Sequence, residues 1–250
     1  MAMDDIRQYL DSTYLKTAAQ AGLTEAENRE EVRHAVTEAI TENFKLVMVR
    51  PDMVAMACEM VREAGSNVHV GTVIDFPEGR GGLEAKLAQA TQAINDGADD
   101  LDFVVDYSAY KAGQLAKVEA EVGACTRLAL KRGRVIKWII EVAALTPAEI
   151  RGLCSLVRGA VTANADVTDY GSVFIKSSTG FYQTEGGKPN GATIETIKIL
   201  LECAAPLPVK AAGGVRSYDE AVAMINLGVK RIGTSSAKAI AEGKPALEGY

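Results

Sequence analysis

Two histidines and four cysteines are all that the 250 residues contain of the side chains that most often hold transition metals. Cys58, Cys125, Cys154 and Cys203 lie far apart, form no CxxC pair, and each falls in a segment that reads as helical. This argues against a disulfide framework or a zinc site and leaves buried free thiols as the expectation. His34 sits in a charged helical stretch and His69 in a strand-like one, and no carboxylate and histidine set has metal-ligand spacing. Neither a metal, nor a cofactor, nor a histidine base is expected. Long apolar runs are missing as well: no stretch approaches the roughly 18 consecutive apolar residues of a membrane span. The N-terminus MAMDDIRQYL lacks a basic region leading into an apolar one, so a soluble, cytoplasmic protein is expected. There is no excess of positive charge. A net charge of -6 and a pI near 5.2 offer no basic face for a polyanion, which argues against nucleic acid. No low-complexity linker or composition shift divides the chain, so residues 1–250 are expected to form a single domain.

What the chain does have is alternation. Short β-prone apolar runs alternate with longer amphipathic segments throughout, the pattern of βα units. Strands are predicted around YLK (14–16), FKLVMV (44–49), VHVGTVI (68–74), DLDFVV (100–105), RVIKWII (134–140), SVFIK (172–176), PVKAA (208–212) and KRIGT (230–234). The first is the weakest of the eight. Helix starts are signalled by Thr24 with Glu27, Thr146 with Pro147 and Glu149, and Ser217 with Glu220. Each can form a capping box, in which the hydroxyl accepts an unpaired backbone N–H and the carboxylate reaches back. Eight strand-helix repeats in about 250 residues predict an α/β fold of the (β/α)8 TIM-barrel type. No GxGxxG follows the first strand, which argues against an open doubly wound sheet. The long loop FYQTEGGKPNGAT (181–193) follows the sixth strand and would lie at the catalytic face.

Three late strands each carry a lysine: Lys137, Lys176 and Lys210. Strands of a parallel barrel are buried on both faces, so each ammonium must be paired or lose its proton. The fourth strand supplies Asp102, with Asp106 expected on the same face by the period of two, as Glu141 is with Lys137. For Lys176 two readings stand: a buried ion pair that fixes strand register, or an amine whose depressed pKa frees it to attack a carbonyl. Its place near a strand C-terminus, like that of Lys210, favours the second. AAGGVRS (211–217) and GTSSA (233–237) follow strands seven and eight, where barrels hold phosphate. Either run alone would be explained as a tight turn, and together they favour a phosphate site. Arg216 fits phosphate or Asp219 equally well.

The stretches DLDFVVDY, VIKWIIE, FIKSSTG, VKAAGGVR and RIGTSS, in this order, resemble deoxyribose-phosphate aldolases, class I aldolases on a (β/α)8 barrel. The resemblance runs from LDSTYLK to the terminal tyrosine. It implies Lys176 as the Schiff-base lysine, Lys210 as the cation that lowers its pKa, Asp102 as the acid in proton transfer, and Lys137 as the support of that acid. It further implies Thr13, Tyr250 and a phosphate site of Gly180, Gly213, Gly214, Gly233, Ser235 and Ser236. The implied partner is a small phosphorylated sugar, with a homodimer or homotetramer as the assembly. Family members commonly carry cysteine and asparagine where this chain has Met48 and Arg50, and some carry lysine at Phe181. Arg50 and the loop lysine Lys188 are expected to add cations near the mouth, suiting a different or larger phosphosugar. The competing readings are another class I aldolase of the superfamily and a barrel that binds a phosphorylated ligand such as pyridoxal phosphate.

Overall fold

The structure, a computed structural model, describes residues 5–187 and 189–244. Its strands are β1 Leu10–Thr13, β2 Leu46–Val49, β3 His69–Ile74, β4 Asp100–Val104, β5 Val135–Ile139, β6 Val173–Lys176, β7 Val209–Ala212 and β8 Arg231–Thr234. Each pairs in parallel with its neighbours in chain order, and β8 closes on β1. The helices among the described residues are α1 Ala18–Ala21, α2 Glu25–Thr41, α3 Val54–Glu63, α4 Gly82–Asn95 and α5 Tyr107–Lys111. They continue with α6 Leu115–Lys131, α7 Pro147–Thr162, α8 Ile194–Ala204, α9 Tyr218–Leu227 and α10 Ala237–Ala241. The predicted (β/α)8 barrel is therefore present.

All three predicted capping boxes form. Glu27, Glu149 and Glu220 each accept the backbone N–H of their N-cap residue and donate their own N–H to its hydroxyl. A cap of this kind contributes about 1 kcal/mol and fixes where the helix leaves the strand above it. The four cysteines lie on α3, α6, α7 and α8 as free thiols, three of them buried.

Period-two alternation divides the core in two. Outward-facing strand residues pack against the helices: Trp138 of β5 lies against Phe103 of β4 at 5.0 Å and donates to Thr126 Oγ1 of α6 at 3.1 Å. The barrel interior has a small apolar cluster of Leu15, Leu46, Met48 and Val73, edged by Phe76 and Phe181. Gly71 serves it, since a Cβ there would stand 2.8 Å from Met48 Cε and 2.9 Å from Leu46 Cδ1. The other side of the interior, contributed by β4 to β8 and β1, is charged.

Two expectations are corrected here. The first strand is Leu10–Thr13, not the stretch around Tyr14–Lys16. The polar run Asp-Ser-Thr reads poorly as a buried strand, yet Asp11 is fully buried because Arg231 and Lys210 flank it. Asp106 does not share the face of Asp102. Strand β4 ends at Val104, the alternation ends with it, and the Asp106 carboxylate instead caps α5 through Ala109 N and pairs with Lys117 at 2.7 Å.

Candidate active site

The three strand lysines converge on one carboxylate. Asp102 Oδ2 accepts from Lys176 Nζ at 2.8 Å and Lys210 Nζ at 3.0 Å, and Asp102 Oδ1 accepts from Lys137 Nζ at 2.9 Å. Strand register makes the meeting possible: Asp102 faces Lys137 across β4 and β5, and Lys176 faces Lys210 across β6 and β7. The four side chains are buried, with Lys176 4% exposed at the cleft and Asp102, Lys137 and Lys210 at 0%.

Burial lowers the pKa of Lys176, Asp102 beside it raises it, and Lys210 and Lys137 lower it again; the balance brings it down to about 8. Burial pushes Asp102 up, but Lys137, Lys176 and Lys210 together hold its carboxyl well below the usual range. Lys137 is opposed by burial and still raised, because it touches both Asp100 and Asp102. Lys176, the amine brought down towards neutrality, is thus the one of the three that lines the cleft.

Lys176 lies in a cleft that includes Thr13, Thr179, Gly180, Asn190, Gly213, Gly214, Arg216, Gly233, Thr234 and Ser235 in its walls. Gly213 and Gly214 have φ of 85° and 96°, the left-handed region that glycine enters without penalty. A Cβ on Gly213 would stand 2.9 Å from Asn190 O and 3.0 Å from Gly191 Cα, both backbone. Gly213→Ala is therefore expected to cost about 1–3 kcal/mol, read as a melting temperature lower by several degrees. An unchanged melting temperature would mean that this turn relaxes freely.

Ser236 departs from its expected place, and Arg50 lies beside the cleft wall and not in it. Ser236 is buried and does not line the cleft; its N–H donates to Thr234 Oγ1 at 3.0 Å, and Thr234 takes its place in the wall. Arg50 is not in that wall either. Its Nε donates to Leu15 O at 2.7 Å and its guanidinium lies over the Phe76 ring at 5.5 Å, so it braces the loops after β1 and β3. Phe76 in turn meets Phe181 edge-on at 5.1 Å. Arg216 does line the cleft, and its backbone N–H donates to Glu220 at 2.8 Å. Tyr250 and Lys188 lie outside the described residues.

The sequence reading missed Glu141 as a bracket. With a φ of 53° it leaves the line of β5, and its carboxylate accepts from Ser178 Oγ at 2.5 Å, Thr179 N at 3.1 Å and Thr179 Oγ1. Burial pushes its pKa up against those hydrogen bonds. Ser178 Oγ also lies 2.7 Å from Asn190 O, and Asn190 Nδ2 donates to Gly180 O at 3.0 Å, so the turn after Lys176 is held from two sides.

Residues 9–241 match the DeoC/LacD family aldolase. The chain belongs to that family. Among relatives of this aldolase, the deoxyribose-phosphate aldolase of Thermococcus kodakarensis is 36% identical over 242 residues, covering 96% of this chain and 97% of that protein. Deoxyribose-phosphate aldolase 1 of Bacillus licheniformis is 39% identical over 223 residues, covering 89% and 92%. The solved tetrameric deoxyribose phosphate aldolase from Aeropyrum pernix superposes with a TM-score of 0.75 at 32% identity, covering 95% of this chain and 89% of that one. Among the described residues of this family member, no helix is long and apolar enough to cross a membrane.

Proposed function

We propose that this aldolase reversibly cleaves 2-deoxy-D-ribose 5-phosphate to D-glyceraldehyde 3-phosphate and acetaldehyde through an imine on Lys176. The observation that carries the reading is the Lys176 amine. It opens to the cleft, lies 2.8 Å from Asp102 between two further lysines, and has a pKa brought down to about 8.

Neutral Lys176 attacks C1 of the open-chain aldehyde, and loss of water leaves a protonated imine that draws electrons from C2. The C2–C3 bond is β to that sink. As it breaks, the C3 hydroxyl gives up its proton, glyceraldehyde 3-phosphate departs, and an enamine of acetaldehyde stays on the nitrogen. Protonation of the enamine at carbon, then addition of water to the imine, releases acetaldehyde and regenerates the amine. Asp102 and Lys210, working through a water, carry the protons, and Lys137 holds Asp102 in place. The turns at Gly213–Gly214 and Gly233–Ser235, with Gly180 and Arg216, take the phosphate by backbone N–H groups and charge. Thr13, at the end of β1, borders the substrate. The proposed assembly is a homodimer or homotetramer, checked by sedimentation; a monomer at assay concentration would reject it.

The direct test is borohydride reduction in acetaldehyde, followed by peptide mapping. An adduct on Lys176 is expected; none, or one on another lysine, rejects the mechanism. Substrate profiling tests the sugar: cleavage of other phosphosugars but not of deoxyribose 5-phosphate would move the enzyme to another class I aldolase activity. Pyridoxal absorbance in the purified protein would favour the ligand-binding barrel.

The pH dependence follows from the sign of the shift. The reactive form is the unprotonated amine, so adduct formation should rise about tenfold per unit below pH ~8 and level off above it. At pH 7 roughly a tenth of the sites are competent. A rate that keeps rising to about pH 10 would mean an unperturbed lysine.

A further inference from the structure

The charges beneath Lys176 form a closed ring. Asp102 meets Lys210 at 3.0 Å, Lys210 meets Asp11 at 2.6 Å, and Asp11 meets Arg231 at 2.6 Å. From there Arg231 meets Asp100 at 3.2 Å, Asp100 meets Lys137 at 2.6 Å, and Lys137 returns to Asp102 at 2.9 Å. Three carboxylates alternate with three cations, and all six side chains are nearly or wholly withdrawn from solvent. Among the described residues, Lys176 is attached to this ring from outside through Asp102 alone.

Two consequences follow from that count. Without Lys176 the ring is neutral; with Lys176 protonated it carries one surplus positive charge in a volume that solvates charge poorly. The proton most readily lost belongs to the cation with the fewest carboxylates. Among the described residues Lys137, Lys210 and Arg231 each ion-pair with two aspartates, whereas Lys176 pairs with one, on an oxygen it shares with Lys210.

We propose that Arg231, acting through Asp11 and Asp100, is a positioning residue that holds Lys210 and Lys137 as fixed cations and so makes Lys176 the amine that loses its proton. The proposal deepens the imine reading and rests on it for its catalytic meaning. None of the three residues touches the cleft, and their effect on Lys176 is transmitted by charge. Arg231 also lies over the Phe174 ring at 6.0 Å, which fixes its side chain on the β6 side. The other titratable groups facing the cluster are His69, 3.1 Å from Asp100, and Glu141 at the turn above Lys176.

Changing the ring's charge in opposite directions should move Lys176 in opposite directions. Arg231→Met leaves a surplus of carboxylate and favours the protonated amine; Asp11→Asn leaves a surplus of cation and disfavours it. The readout is competitive labelling of the full-length protein with acetic anhydride across pH, with the Lys176 peptide quantified. Its midpoint is expected to rise by about one pH unit in R231M and fall by about one in D11N. It should return to the parent value in the double variant, and R231K should keep it.

A merely structural role predicts lower melting temperatures with the midpoint unmoved, and that result, or shifts of the same sign, overturns the proposal. If R231M does not fold, the near-isosteric D11N and the double variant carry the test, one lowering the midpoint and the other restoring it. Labelling does not require an imine. A borohydride adduct on a lysine other than Lys176 would sink the imine reading while leaving the charge-ring result to stand or fall by itself.

Discussion

Lys176→Met is expected to lower cleavage of the phosphosugar by more than about 10⁴-fold while leaving the melting temperature unchanged or higher. The two halves have different causes. Methionine cannot form an imine, and without the imine no electron sink exists for the C2–C3 bond, so binding alone supplies what rate remains. Folding is spared because removing Lys176 does not orphan its partner: Asp102 keeps Lys137 at 2.9 Å and Lys210 at 3.0 Å. Replacing the surplus buried cation with an apolar chain of similar length removes a desolvation cost rather than breaking an essential pair. Lys176→Arg separates charge from nucleophilicity, since guanidinium keeps its proton at any working pH and should be equally inactive. Steady-state cleavage assays and thermal unfolding check both halves. A methionine variant within about tenfold of the parent rate would remove Lys176 from the chemistry.

The lysine side of this site was legible because each lysine breaks an apolar, β-prone run, and a buried strand can hold a charge only for a reason. VFIK and PVKA carry that signal within a few residues. Asp102 was legible too, at an inward position of DLDFVV. Its neighbour Asp100, two residues earlier on the same face, carries the same signal. Asp11 and Arg231 are another matter. They lie 220 residues apart, and nothing local in LDST or KRIG says that one contacts the other. Only closure of β8 on β1 brings them together, and closure is a property of the whole barrel. Glu141 was misread for a related reason. Extending strand alternation past Ile139 assumes a straight chain, whereas the chain turns into the left-handed region and points the carboxylate at the next loop. Arg50 illustrates the limit of reading charge as function. A cation just past β2 is expected near the mouth and lies beside it, but the Leu15 carbonyl and Phe76 ring engage it.

Asp102→Asn should do what Lys176→Met does not, damaging stability and rate together. Three ammonium groups lose the carboxylate they share, and breaking a buried ionic cluster by removing one member typically costs about 3–5 kcal/mol. For a chain of this size that corresponds to a melting temperature lower by on the order of 10 °C. The stability gap also has a pH signature. Asp102 is depressed in the folded protein, so its contribution is full above the unfolded value of roughly 4 and is lost as pH falls towards the folded one. The gap between parent and variant should therefore narrow in acid. Cleavage should fall by about 10²–10⁴-fold, the usual range for a lost proton-transfer group. The pH–rate profile identifies the cause: Asp102 raises the Lys176 pKa, so its removal moves the acidic limb to lower pH and makes more free amine. A slow variant with its amine more available than the parent's has lost proton transfer and not the nucleophile. If the variant matched the parent rate above pH ~8 and exceeded it below, Asp102 would be acting only on the protonation of Lys176, and its place in the proton path would be wrong.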